Sequence, residues 1–160
     1  MRLPKPPWIA AHRGAEPQLE NTIPVLLLAI DEGADLLEFD VQATADDVLV
    51  LHHDADLARL AGRPDLTVES TPLHELADLE LRHPERPAIT GCIPTLAELL
   101  AVLPGDFPVN IELKRRGVDI REIEALIRQR LGFKAKGDVD ATLRGRPDSL
   151  VYEGVFTGVL

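Results

Sequence analysis

Asp35-Leu36-Leu37-Glu38-Phe39-Asp40-Val41 is the stretch on which the reading of this chain turns. Along a strand, side chains alternate between the two faces, so Leu37, Phe39 and Val41 share one side and Glu38 and Asp40 the other. The apolar side calls for a packed layer behind it. On the opposite side, two carboxylates two residues apart repel each other unless a cation or a donor sits between them. Hard oxygen ligands favour Mg²⁺ or Ca²⁺, held at roughly 2.0–2.6 Å, over a metal that prefers thiolates. An E-x-D pair alone is common on surface strands, so its meaning depends on the flanking segments.

Upstream, Trp8-Ile9-Ala10-Ala11 reads as a short buried strand that stops at His12. Asn21 or Thr22 can cap a helix, Pro24 suits its first turn, Val25 to Glu32 continues it, and Gly33 closes it. Downstream, Val48 to Leu51 continues the second strand after a turn at Ala45-Asp46-Asp47. Asp54 to Gly91 reads as loop with short helical pieces, Pro72 to Leu81 among them. Thr95 to Leu103 is expected to be a helix capped by Thr95, Pro108 to Lys114 a third strand, and Ile120 to Leu131 an amphipathic helix.

Strands alternating with helices predict an α/β protein with parallel strands. Three such units are about three-eighths of a (β/α)8 barrel, which typically takes about 250 residues. The expected architecture is a partial barrel over residues 8–131, holding roughly the first three βα units plus an excursion. Phe133 to Leu160 carries glycines at 137, 145, 154 and 158 without a sustained period, and residues 132–160 are expected to be an irregular, unassigned tail.

A chain of 160 residues can bury roughly 70% of its unfolded surface in a single core. The formal charge of −10 is unevenly placed: residues 1–80 hold 16 Asp and Glu against 5 Lys and Arg, and residues 81–160 hold 11 against 12. Nucleic-acid binding is not expected, since it needs a basic stripe to neutralise phosphates. The single cysteine, Cys92, forms no intrachain disulfide. Met1 to Pro7 does not read as a secretory signal, and no apolar run approaches spanning length. The expected location is cytoplasmic.

Four patches then supply a site: Ala11-His12-Arg13-Gly14, Glu38-Phe39-Asp40, His53-Asp54 and Ile111-Glu112-Leu113-Lys114. Each follows or ends an apolar run, and parallel-barrel enzymes keep their catalytic groups at the carboxyl ends of strands. Glu112 could complete a cation site with Glu38 and Asp40. Lys114, two residues further on, shares its face, which makes sense where an anionic substrate bridges metal and lysine. Arg13 can grip phosphate oxygens as a fork, and Gly14 lets the backbone turn away at once. His12 and His53 could serve as general acid and general base across a phosphorus centre. His52 is expected to face away from His53, and His74 and His83 to be solvated.

Taken in order, His12-Arg13-Gly14, Glu20-Asn21-Thr22, Glu38-Phe39-Asp40, His53-Asp54, Pro94-Thr95-Leu96 and Ile111-Glu112-Leu113-Lys114 resemble the glycerophosphodiester phosphodiesterase family. The resemblance runs from about Trp8 to Leu131. It implies a TIM barrel that hydrolyses glycerophosphodiesters to an alcohol and glycerol 3-phosphate with a divalent cation, Mg²⁺ or Ca²⁺. By matching position it implies that Glu38, Asp40 and Glu112 are metal ligands, that His12 and His53 are the acid–base pair, and that Arg13 and Lys114 hold the phosphate. Glu20 would lie near the site, unless Glu20-Asn21-Thr22 serves only as a helix entry.

The family's later segments, a serine- and phenylalanine-containing strand and a late Gly-x-Asp and Thr-Asp, have no counterpart after Leu131. The chain is therefore expected to correspond to the amino-terminal part of such an enzyme. The alternative reading is a truncated, catalytically incompetent fragment, or a module that binds cation and phosphate. An open half-barrel would expose the edge of its third strand, and self-association through that edge is expected. Secreted phospholipase D-type toxins share a similar constellation, but the lone Cys92 and the lack of a signal count against them.

Overall fold

A computed structural model describes residues 7–15, 19–104, 107–114, 142–146 and 149–154. In chain order the elements are β1 (Ala10–His12), α1 (Ile23–Asp31), β2 (Leu36–Ala43), β3 (Leu49–Leu51), β4 (Asp56–Leu57), α2 (Ala58–Ala61), β5 (Arg63–Thr67), a 3-10 turn (Val68–Ser70), α3 (Leu73–Ala77), β6 (Leu81–Arg82), β7 (Thr90–Gly91), α4 (Leu96–Val102), β8 (Val109–Leu113), β9 (Thr142–Arg146) and β10 (Ser149–Gly154). The main sheet runs β1-β2-β8-β10-β9, with β3 paired to β2. β1, β2 and β8 are mutually parallel, connected through α1 and α4. This is the expected α/β arrangement. Its register sets His12 beside Glu38 and Asp40 beside Glu112.

The helices form where the sequence supplies their ends. α4 opens with a capping box: Glu98 N donates to Thr95 Oγ1 at 3.1 Å, and Thr95 N donates to Glu98 Oε2 at 2.8 Å. Thr22 precedes α1 and Pro24 lies in its first turn, but the Thr22 hydroxyl donates to Leu19 O at 2.7 Å instead of capping. Gly33, at φ 95°, ends the helix, and Ala34 N closes back on Ala29 O at 2.9 Å.

The period-two pattern of β2 decides which side packs. Leu37, Phe39 and Val41 are fully buried against Val25, Leu26 and Ala29 of α1 and Leu96, Leu99 and Leu100 of α4. A second core holds Leu57, Leu60, Val68, Leu76 and Leu81 with Leu19, Val50 and Ile93. The excursion is thus more than loop: its irregularly spaced leucines bury one another and fix short strands and helices over the sheet. The helix expected at Pro72 to Leu81 contracts to Leu73–Ala77. No helix among the described residues is long and apolar enough to cross a membrane.

Three expectations are corrected. β1 is not a buried strand: it is the edge of the sheet, and Ile9 before it is 64% exposed. β3 does not prolong β2 but folds back on it as an antiparallel hairpin, Val41 opposite Leu51. The carboxyl-terminal stretch is not wholly irregular, because β9 and β10 pair with each other and β10 lies antiparallel on β8, Leu150 opposite Leu113. β10 thus runs along the edge of the third strand, from Val109 to Leu113. Leu150-Val151-Tyr152 has strand-forming residues, but the glycines around them hide so short a period. The helix expected over Ile120 to Leu131, and the boundary between 131 and 132, lie outside the described residues.

Gly14 marks where the chain must turn from β1 towards α1. Its φ is 110°, and a Cβ there would meet Val25 Cγ1 at 2.6 Å and Val25 C at 3.1 Å. Gly14→Ala should therefore destabilise the fold by about 2–5 kcal/mol, from backbone strain and overpacking together. Urea unfolding measures this, and a change below about 0.5 kcal/mol would show that the helix yields freely.

Candidate active site

The inward face of β2 places Glu38 and Asp40 side by side, and β8, in parallel register, brings Glu112 across to Asp40. One carboxylate oxygen from each of the three lies within 4.8 Å of the others. Asp40 is 0% exposed. Asn21 Nδ2 donates to its Oδ2 at 2.9 Å, and Asn21 Oδ1 accepts from Asp40 N at 3.1 Å. Arg13 Nε and Lys114 Nζ each stand 3.0 Å from an oxygen of Asp40, at ion-pair distance but without hydrogen-bond alignment. Lys114 Nζ also donates to Glu112 Oε1 at 2.6 Å.

Glu38 is the electrostatically uneasy member. Burial, then the charges of Asp40 and Glu112, push its carboxyl up to about 7, against the weaker pull of Arg13. Its Oε2 is buried without a hydrogen-bond partner and lies 3.8 Å from His12 Nε2. Burial pushes the Lys114 ammonium down, but Glu112 and Asp40 outweigh that and raise it. Three convergent carboxylates, with Glu38 Oε2 and Asp40 Oδ1 lacking hydrogen-bond donors, suit a hard divalent cation.

The backbone around Arg13 is strained in the service of this cluster. Arg13 and Asn21 sit at φ 59° and 56°, uncommon for residues with side chains. Both are pinned: Arg13 N donates to Glu38 O at 2.8 Å, and Asn21 N donates to Arg13 O at 2.9 Å.

A second set of charges holds His53. Its Nδ1 is 2.7 Å from Asp54 Oδ1, and Arg59 Nε donates to Asp54 Oδ2 at 2.6 Å. Arg59 also grips Glu20 with both terminal nitrogens, at 2.9 and 2.6 Å, and Arg13 Nη1 reaches the same carboxylate at 3.4 Å. Burial raises the carboxyls of Glu20 and Asp54, but Arg59 overrides it and holds both low. His52 is buried and faces away, 3.3 Å from Asp56 O.

All seven residues singled out in the sequence thus belong to two adjoining clusters. His12, Arg13, Glu38, Asp40, Glu112 and Lys114 are joined by ion pairs or strand register, and His53 enters through Asp54, Arg59 and Glu20. His12 is the loosest, 67% exposed. The sequence reading missed three contributors. Asn21 cradles Asp40 although it read as a cap, Arg59 came from the excursion, and Gln42 continues the 38, 40, 42 face of β2. Gln42 had a sequence signal in the same period of two, and Asn21 one in its place within Glu20-Asn21-Thr22; Arg59 had none.

Comparison with known proteins agrees with this arrangement. The sequence model described as the Glycerophosphoryl diester phosphodiesterase family matches residues 12–143. The lysophospholipase D GDPD1 of Rattus norvegicus is 33% identical over 128 residues, covering 74% of this chain and 40% of that protein. The crystal structure of a glycerophosphodiester phosphodiesterase from Agrobacterium tumefaciens aligns with a TM-score of 0.69 and 34% identity, over 77% of this chain and 53% of that one. A phosphodiesterase from Oleispira antarctica, solved with its product sn-glycerol-3-phosphate, aligns with a TM-score of 0.62 and 32% identity, over 78% and 51%. These neighbours are TIM-barrel proteins, and the chain spans about half the length of each. With His12, Glu38, Asp40, Glu112 and Lys114 brought together across the parallel strands β1, β2 and β8, and the family model matched over most of its length, the chain belongs to the glycerophosphoryl diester phosphodiesterase family.

Proposed function

We propose that this chain supplies the cation-binding and phosphate-binding face, and both acid–base histidines, of an enzyme that hydrolyses glycerophosphodiesters to an alcohol and glycerol 3-phosphate. The observation that carries the reading is the convergence of Glu38, Asp40 and Glu112 between Arg13 and Lys114. Glu38, Asp40 and Glu112 would hold Mg²⁺ or Ca²⁺. Such a cation would polarise a phosphoryl oxygen and lower the pKa of the attacking hydroxyl.

The remaining work falls to the side chains. Arg13 offers a planar fork to phosphate oxygens, and Lys114 a compact charge beside them. The Asp54 carboxylate facing Nδ1 of His53 favours a proton on that nitrogen, leaving Nε2 to exchange a proton with substrate. His12 Nε2, exposed beside Glu38, serves the opposite side of the phosphorus centre. The measure of this reading is cation-dependent release of glycerol 3-phosphate from glycerophosphocholine. His12→Ala and His53→Ala should each lower turnover by about 10²–10⁴-fold. Turnover unaffected by either change would contradict it.

The ligand cluster also fits a second reading, in which these residues bind cation and phosphate without turnover. Cation binding survives in that reading, whereas the histidine-dependent reaction does not.

Cation binding should carry the signature of Glu38. Its pKa is raised in the folded protein, so the protonated carboxyl favours the metal-free fold. That contribution is complete below the unfolded value of about 4.5 and is lost as pH rises through about 7. A cation needs the ionised form, so the rise in Tm on adding Mg²⁺ or Ca²⁺ should grow from pH 6 to pH 8, and the growth should flatten in Glu38→Gln. A pH-independent shift in the wild-type chain would place the cation away from Glu38.

A further inference from the structure

Gln42 is 1% exposed and lies two residues beyond Asp40, on the same face of β2. Its Nε2 donates to His52 O and to Asp54 O, each at 2.8 Å, the carbonyls on either side of His53. Both amide hydrogens are thereby committed, and two carbonyl acceptors fix which end of the amide is nitrogen. Oε1 must then be the acceptor end. It is buried and has no hydrogen-bond partner. Native interiors seldom leave such an atom unmatched.

Gln42 lines a cavity of about 460 Å³ with His53, Asp54, Ala55, Asp56 and Lys114. Acceptors predominate there, with the Lys114 ammonium the one fixed positive charge among these residues. Asp54 is engaged by His53 and Arg59, and Asp56 Oδ1 accepts from Ala58 N at 3.0 Å. Gln42 Oε1 is the buried acceptor among them that has no hydrogen-bond partner. A ligand that suits this cavity brings an anionic group towards Lys114 and a hydroxyl donor towards Gln42, which is the chemistry of a phosphorylated polyol.

We infer that Gln42 Oε1 accepts a hydrogen bond from a free hydroxyl of the substrate's glycerol moiety, and so selects for diesters whose glycerol keeps one. The inference rests on the reading of the chain as a glycerophosphodiester hydrolase and adds a specificity-determining residue to it. The same amide holds the backbone around His53, so one side chain couples recognition of the glycerol to the placement of the histidine.

The test is equilibrium binding to the whole chain with Mg²⁺ present, comparing sn-glycerol 3-phosphate with n-propyl phosphate, which has the same charge and carbon chain but no free hydroxyl. The wild-type chain should prefer glycerol 3-phosphate by about 10-fold. In Gln42→Met, which keeps length but lacks the amide, the ratio should fall to within about 2-fold. Because the ratio is read, a general weakening from a displaced His53 loop cancels. Equal binding of the two ligands by the wild-type chain overturns the inference whether or not the variant folds, and means that water satisfies Oε1. A preference undiminished in Gln42→Met overturns it as well. If the wild-type chain binds neither ligand, the hydrolase reading itself fails and this inference falls with it, an outcome distinct from equal binding.

Discussion

The Asp40 carboxylate is wholly buried, and a charge taken out of water needs donors and cations arranged around it. Asn21 Nδ2 supplies a hydrogen bond, Arg13 and Lys114 the charge. These partners come from three places in the chain: the residue after β1, the entry to α1, and the residue after β8. Compensating one carboxylate therefore fixes the ends of the outer two parallel strands against the middle one. Removing a single partner would leave a buried charge underpaired, typically a loss of about 3–5 kcal/mol. The left-handed backbone at Arg13 and Asn21 follows from the same demand, since both residues must turn inwards to reach Asp40.

From Arg13 the charges extend outwards through Glu20 to Arg59, and from Arg59 through Asp54 to His53. Arg59 belongs to α2, in the excursion, so the excursion is anchored to the site by charge and to the sheet by its leucine core. Arg59 is only partly buried, and solvent screening makes these pairs more important for geometry than for stability. What they fix is the orientation of the His53 ring, on which proton transfer depends.

Much of this was legible in the sequence because it is local. The alternation in Leu37 to Val41 announced both the core face and the carboxylate face of β2, and Thr95 with Glu98 announced the start of α4. The spacing Glu112-x-Lys114 put both groups on one face of β8, where they touch. The rest depends on distant partners. Asn21 has the composition of a helix cap, and only the position of Asp40 shows why its amide turns inwards. Nothing near Arg59 in sequence tells that it reaches Glu20, 39 residues away. β1 looked buried because its residues are apolar, whereas its exposure depends on what pairs with its other edge.

The central claim is that Glu38, Asp40 and Glu112 together hold a divalent cation, and the direct measurement is anomalous scattering from crystals of this chain grown with Mn²⁺. The account expects one strong peak with an oxygen of each carboxylate at roughly 2.0–2.6 Å, the range for hard divalent cations. Lys114 should then be drawn away from at least one of its two carboxylate partners. A peak elsewhere, or saturating Mn²⁺ with Lys114 still bridging Asp40 and Glu112 and no ion beside Glu38, would contradict it.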